Sequence, residues 1–366
     1  MIQQLHFFPS KTLALYVGRL FLVRTFAILI MLVLVLQALD LLGESGKILG
    51  VAGNGQEDIV RYLGLRVPQI ISRFLPFSVL LGTIVTLATL NQNSEVVSMK
   101  GAGMSAHQVL APLVLASLLV AALSFTFNER VVTRANTALG QWQKVDYGQI
   151  PKDSNIKTNI WAKDGENLIR AGEVVLRGGG VELRDVRVFE RSDNAMVAEI
   201  TATRAVPSGD GWRIEGARRF DLATGKVSEL GTYVAGKGIS PDRFTMASVD
   251  GDEMAFMPLR AAIDQLEAAG RPTDGLRAAL WHKISGPLSA VLMPLLGAVA
   301  AFGLARSGQL VLRAVLGMAL GFAYFVADNF GIAMGNLGVY PPLLAAWGPF
   351  VLFFLIGEAV LVRTEE

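Results

Sequence analysis

The sequence predicts an α+β membrane protein, with six transmembrane helices in two groups of three and an inserted β-jellyroll-like domain. Three observations carry that prediction. With 52% hydrophobic and 17% charged residues over 366 positions, the chain is too apolar for an ordinary soluble protein. Apolar runs of about twenty residues, the length that crosses a hydrocarbon layer of about 30 Å, fall before residue 128 and after residue 280. The stretch between them lacks such a run and shows short alternating segments instead. The division expected is therefore 1–127, a first membrane half; 128–280, an external β-domain with flanking helices; and 281–366, a second membrane half.

Residues 1–20 are polar to mixed and include Lys11 and Arg19. Arg24 stands just inside the first span, which runs to about Leu42. No clean small-residue cleavage site follows it, so it reads as an uncleaved anchor. A Gly-rich polar loop, Gly43 to Asp58, leads to a second span from about Val67-Pro68 to Leu90, with Arg73 in its first turns. Pro68 suits a helix start, where its missing N–H costs nothing. Asn91 to Ser105 is a short polar connection holding a helix of about two turns. Ser94 is its expected N-cap, Glu95 faces the positive end of its dipole, and Gly101 and Gly103 stop it.

The third span covers His107 to about Phe127. The fourth runs from about Ile284 to Leu304, the fifth from Val311 to Gly331, and the sixth from Leu343 to Val362. With the N-terminus inside, the inner side carries Lys11, Arg19, Arg24, Lys100, Arg306, Arg313 and Arg363. The outer short loops carry only Lys47, Arg61 and Arg66. That bias follows the positive-inside rule and puts both termini in the cytoplasm and the β-domain outside.

Within the middle region, 128–149 reads as the third helix continuing past the membrane. From Asn159 to Met246, runs such as NLIRAGEVVL and VELRDVRVFE alternate in polarity between Asp-Gly, Gly-Gly-Gly and Thr-Gly turns. Short strands at even spacing argue for a β-sandwich or jelly roll rather than an α/β unit. Pro258 to Ala269 reads as an amphipathic helix closed by Gly270.

Several functional classes are excluded. A net charge of +2 argues against nucleic acid as the main partner. Zero cysteines rule out thiol catalysis and zinc–thiolate sites. His6, His107 and His282 share no helical pairing of the zincin type. There is no phosphate-binding G-x-x-x-x-G-K-[ST] loop, and Gly43-Glu-Ser-Gly-Lys47 has the wrong spacing. No catalytic constellation or cofactor site is evident, so an enzyme is disfavoured.

The sharpest feature is the connection at about 91–105. A short helix with Glu95, Val96, Val97, Met99 and Lys100 has one apolar side and a charge at its start. Such a segment either lies on the headgroups as an interfacial turn or docks in the groove of a cytoplasmic motor.

The run NSEVVSMKGAGMSAHQV at this connection resembles the coupling segment of the lipopolysaccharide export permease family, LptF/LptG. Trp-Ala-Lys-Asp-Gly at Trp161–Gly165 and FVADNFG at Phe325–Gly331 carry the same resemblance, the first being closer to the LptG branch. The three-plus-three arrangement around an outer β-domain matches that family over the whole chain. The resemblance implies the permease half of an ABC transporter in the bacterial inner membrane. It further implies an LptF-like permease partner, a cytoplasmic LptB-like ATPase dimer, an LptC-like membrane-anchored protein, and lipopolysaccharide passing through the periplasmic β-domain. By motif position Glu95 is the acid expected to meet a basic group on the ATPase.

A cargo with several acyl chains and sugar phosphates needs an apolar cavity and cations near the outer leaflet. Lys47, Arg61, Arg66, Arg130 and Arg134 are the candidate phosphate contacts, and their ordinary reading is snorkelling to headgroups. Lys47 and Arg134 also fit where the family carries basic residues, although Asp40 and Glu44 dilute the charge after the first span. Asp328, deep in the fifth span, is either a functional acid or one satisfied by Asn329 and nearby backbone. Gly317, Gly321, Gly331 and Gly335 suit close helix contacts. Trp161, Ile169, Leu183, Trp212 and Phe220, with Val174, Val188, Ile200, Ile214 and Tyr233, are candidate inward residues of the β-domain, forming either a plain core or a lipid path. Two other functions stay open: a mechanotransmission-type ABC permease and an envelope scaffold, neither of which carries lipid itself.

Overall fold

A computed structural model describes residues 10–149, 156–164, 167–177, 180–192, 195–209, 211–236, 244, 250–268, 271–301 and 310–363. His6, Gly165, Met246, Gly270, Leu304 and Arg306 lie outside the described residues. The chain forms two compact units: residues 1–139 with 250–366, and residues 140–249. The second is narrower than the segment 128–280 marked out from sequence.

The first unit is helical. Helix α1 spans Lys11–Leu49, α2 Gln56–Gln92, α3 Glu95–Gly101 and α4 Ala106–Phe127. A π-helical turn, Asn128–Val132, joins α4 to α5, Thr133–Lys144. Three long helices and a short one follow the β-region: α6 Phe256–Ala268, α7 Asp274–Ala301, α8 Leu310–Asn336 and α9 Pro342–Arg363. Among the described residues five helices are long and apolar enough to cross a membrane: α1, α2, α4 with its continuation, α8 and α9. The fourth expected span is the helix α7. Its first turns carry Asp274, Arg277, His282 and Lys283.

The helices run further than their apolar cores. Backbone hydrogen bonding continues along polar residues once a turn is nucleated, so α1 begins well before Arg24 and α2 well before Val67. Pro68 is thus a correction: it lies inside α2, which starts instead where Asp58 accepts from the Gly55 N–H at 2.9 Å.

Glycine sets how closely the helices approach. A Cβ at Gly82 of α2 would stand 3.0 Å from the Thr25 Cα of α1. One at Gly331 would stand 2.7 Å from the Ala345 carbonyl of α9, and one at Gly335 2.6 Å from the Ala345 Cβ and 2.9 Å from that of Ala278. Gly321 abuts Leu80 of α2, and Gly317 is buried. One core cluster joins Val17 and Phe21 of α1, Val79 and Leu87 of α2, Val109 of α4, Leu296 of α7, Tyr324 of α8 and Phe353 of α9.

The second unit is a six-stranded antiparallel sheet: β1 Ile156–Asp164, β2 Asn167–Arg177, β3 Gly180–Ser192, β4 Ala195–Ser208, β5 Gly211–Asp221 and β6 Val227–Ala235. The described strands pair in sequence order, the topology of a meander. The crossover that separates a jelly roll from a meander is not among the described pairings. The sheet nevertheless curls onto one side. The Tyr233 hydroxyl of β6 donates to Glu190 of β3 at 3.4 Å, across the two intervening strands.

Every middle strand shifts the parity of its buried residues along one transverse line. The buried residues step by three from Ala171 to Val174, from Leu183 to Val186, from Ala202 to Ala205, and from Ile214 to Ala217. Strict alternation would step by two. Along that line Asp185 has φ 48°, Gly216 69° and Gly231 65°. The left-handed conformation inserts a bend in the manner of a β-bulge and shifts the buried parity by one residue. Gly172 lies opposite Asp185, where a Cβ would sit 2.6 Å from the carboxylate.

This line explains where the predicted inward residues fall. Ile169, Val174, Leu183, Val188, Ile200, Trp212 and Ile214 are in the core, with Tyr233 packed against it. Trp161 and Phe220 are corrections, being 51% and 41% exposed. Their neighbours Ala162 and, beyond the bend, Ala217 set the buried parity and put them on the outer face; Trp161 stacks on Phe189 there. Phe244, not foreseen, is fully buried and meets Trp212 edge-on at 5.0 Å.

Candidate functional site

The candidate residues of the helical unit fall into two groups, one at each end of the bundle; of those expected to meet the ATPase, Val96 and Met99 are a correction, being buried in the core. At the first, α3 connects α2 to α4. Val96 and Met99 are buried in the common core with Val17, Phe21 and Val109, while Val97 on the opposite side is 56% exposed and Lys100 is exposed. One face of this short helix is therefore fixed to the bundle and the other is presented. The preceding Ser94 is at φ 60° and its side chain makes no cap, which corrects the expected N-cap. The left-handed turn keeps its hydroxyl from the helix N–H groups, and the backbone bonds Ser98 N–H to Ser94 O and Ala102 N–H to Ser98 O hold the helix instead. Beyond Gly103 (φ 86°), Ser105 and Gln108 form a reciprocal capping box that starts α4.

Glu95 stands at the start of α3. Its Oε1 accepts from the Tyr16 hydroxyl of α1 at 3.3 Å and from Asn93 Nδ2 at 3.1 Å. Nearby, His107 Nε2 lies 3.2 Å from Glu358 Oε2, joining the start of α4 to the last turns of α9. Tyr16 and Glu358 are contributions that sequence spacing could not reveal, since only the packed bundle brings them beside α3.

The other end carries the candidate cations, and the structure separates them into two kinds. Arg66 is committed internally. Its Nη2 donates to Asp40 Oδ1 at 2.9 Å and its Nη1 to Gln69 at 2.6 Å, while the Tyr62 hydroxyl donates to the same Asp40 at 2.6 Å. Gln69 passes the chain on to Asn136, whose amide reaches the Asp252 carbonyl. Lys47 pairs with Glu44 at 2.8 Å. Arg61 is exposed on the first turns of α2. Arg130 and Arg134 are exposed four residues apart, the first inside the π-helical turn, and neither has an ion-pair partner among the described residues. Ser72 fixes that turn by donating to Asn128 at 2.5 Å, and Glu129 accepts from the Phe256 N–H at 2.7 Å. π-turns recur at functional sites.

Asp328 is met by His282 Nε2 at 3.0 Å, not by Asn329, whose amide bonds the Phe325 carbonyl of its own helix.

Long apolar helices around a glycine-packed core, a short helix with one presented face, and an inserted antiparallel sheet define a multi-pass helical membrane protein with an inserted β-domain. The chain belongs to the lipopolysaccharide export system permease LptF/LptG family, which it matches over residues 15–363. It is 26% identical over 370 residues to the lipopolysaccharide export system permease protein LptG of Escherichia coli (strain K12), an alignment covering 97% of this chain and 99% of that protein. The LptG of Haemophilus influenzae is 25% identical over 380 residues, with 97% and 99% covered.

Proposed function

We propose that this chain is a permease subunit of an ABC transporter that extracts lipopolysaccharide from the bacterial inner membrane and passes it through the β-domain towards the outer membrane. A separate cytoplasmic ATPase dimer of the LptB kind drives the cycle by docking on α3. An LptF-like permease completes the membrane part, and an LptC-like protein joins from its own membrane anchor. Both termini and α3 lie in the cytoplasm, and the sheet lies in the periplasm. Phosphates of the cargo meet Arg130 and Arg134, with Arg61 and Lys47 contributing, and Arg66 shapes the outer end through Asp40.

The observation that carries this reading is the two-faced α3. Val96 and Met99 lock one side into the core that α1, α2 and α4 share, and Glu95, Val97 and Lys100 are presented on the other. A helix that only rested on headgroups would turn its apolar side outward to lipid; this one spends Val96 and Met99 on the protein interior, as a rigid docking element requires.

The test is Glu95→Arg in the co-expressed complex. ATP turnover stimulated by the permease should fall at least about tenfold, the weight of one reversed charge contact, while membrane insertion is kept. Normal copurification and turnover would refute the docking. Photo-crosslinking from α1 to lipopolysaccharide should give adducts; intact ATPase coupling without adducts would point to a mechanotransmission permease instead.

A further inference from the structure

The structure assigns Tyr16 as a positioning residue that orients Glu95 for the ATPase and ties the docking helix to the first transmembrane helix. The inference rests on the docking role proposed for α3. Three contacts support it. Tyr16 and Asn93 both donate to the same oxygen, Oε1, of Glu95. Two donors on one carboxylate oxygen fix its rotation, and among the described residues Oε2 accepts no hydrogen bond. That leaves Oε2 aligned for a cation from outside the chain, where a charge-assisted contact is strongest.

Tyr16 also comes from a different helix. Its neighbour Val17 is 1% exposed, Phe21 is fully buried, and both lie in the cluster that holds Val96 and Met99. Further along α1, Arg24 Nη1 donates to the Val85 carbonyl of α2 at 3.0 Å. Side chains on α1 thus grip both the docking helix and the helix before it. A push on α3 reaches α1 through Tyr16 at the surface and through Val17 and Phe21 in the core. The rest of α1 is sparsely covered, with Leu34, Leu39 and Leu42 each more than 60% exposed. A displacement at its inner end therefore has a sparsely covered stretch of helix to travel along.

The test uses the full complex of this chain with an LptF-type permease and an LptB-type ATPase in nanodiscs containing lipopolysaccharide. Tyr16→Phe removes one hydroxyl from a half-exposed ring and leaves the packing of Val17 and Phe21 in place. It should weaken ATPase binding by about threefold to tenfold, the weight of one hydrogen bond to a charged group at a solvated site. The KM for ATP should stay unchanged while lipopolysaccharide released per ATP falls. Asn93→Ala, which removes the second donor, should act in the same direction. In the Glu95→Gln background Tyr16→Phe should add nothing, because both changes act through one carboxylate. Wild-type binding and coupling in Tyr16→Phe beside an impaired Glu95→Gln would overturn the role of Tyr16 alone, as would full additivity of the two. An unimpaired Glu95→Gln would overturn the docking reading itself.

Discussion

Gly82→Ala should loosen the contact between α1 and α2, whereas the same change at Gly64, on the same helix, should stabilise. The added Cβ at Gly82 would stand 3.0 Å from the Thr25 Cα and 3.1 Å from its Cβ, and closer still to the Thr25 hydroxyl. Carbon atoms in contact sit at about 3.5–4.0 Å, so α1 must retreat by roughly 0.5–1 Å. The nearest atoms include backbone, and no rotamer change removes the clash. Overpacking of this kind costs about 1–3 kcal/mol. Against it stands the helix preference for Ala over Gly, about 0.8–1 kcal/mol. With about 2 kcal/mol for the clash, the net for Gly82→Ala is a loss of about 1 kcal/mol. At Gly64 nothing lies within 4 Å of the added carbon, so only the gain of about 1 kcal/mol remains. The two variants should differ by about 2 kcal/mol, with opposite signs relative to the wild type. Thermal unfolding in nanodiscs, followed by fluorescence, should rank Gly64→Ala above wild type and wild type above Gly82→Ala. Equal stability of the two variants would show that the α1–α2 contact is not set by the missing side chain.

Arg134→Glu should lower crosslinking of lipopolysaccharide while leaving ATP turnover on α3 intact, because the residue lies at the opposite end of the bundle; unchanged adducts would remove it from the phosphate site. The turn after β5 should loosen in acid. The Asp221 carboxyl is held below its usual pKa, first by the Thr224 backbone N–H and then by the Thr224 hydroxyl, both at 2.9 Å. A depressed value in the folded state contributes stability that is present above the ordinary carboxylate pKa and lost as pH falls through the folded one. Hydrogen exchange at Thr224 and Gly225 should accelerate across that acidic window, and Asp221→Asn should remove the dependence.

The division into apolar helices around a middle β-region was legible because hydrophobic run length is a direct physical requirement of a membrane. Helix ends were not. Backbone hydrogen bonds carry α1 back to Lys11 and α2 back to Gln56 through residues no bilayer demands. Side-chain roles were legible only where neighbours in sequence decide them. The two faces of α3 come from helical spacing, which parts Val96 from Val97 instead of keeping them on one apolar side. The commitment of Arg66 to Asp40 depends on two helices meeting, as does that of Asp328 to His282. Alternation placed Ile169, Leu183 and Trp212 inside, yet failed for Trp161 and Phe220. At Phe220 the period breaks at Gly216, a turn that no hydrophobic pattern announces; at Trp161 the neighbouring Ala162 had already taken the inner position.

The transverse line through Gly172, Asp185, Thr203, Gly216 and Gly231 makes the strands of the β-domain interdependent in length. Removing one residue from β4 on either side of Thr203 would send half of that strand's apolar side chains to water while its neighbours kept theirs inside. Compensation would require matching deletions in β3 and β5 at once. Insertions and deletions are therefore confined to the hairpin turns, and the spacing from each turn to the line is a fixed dimension of the domain.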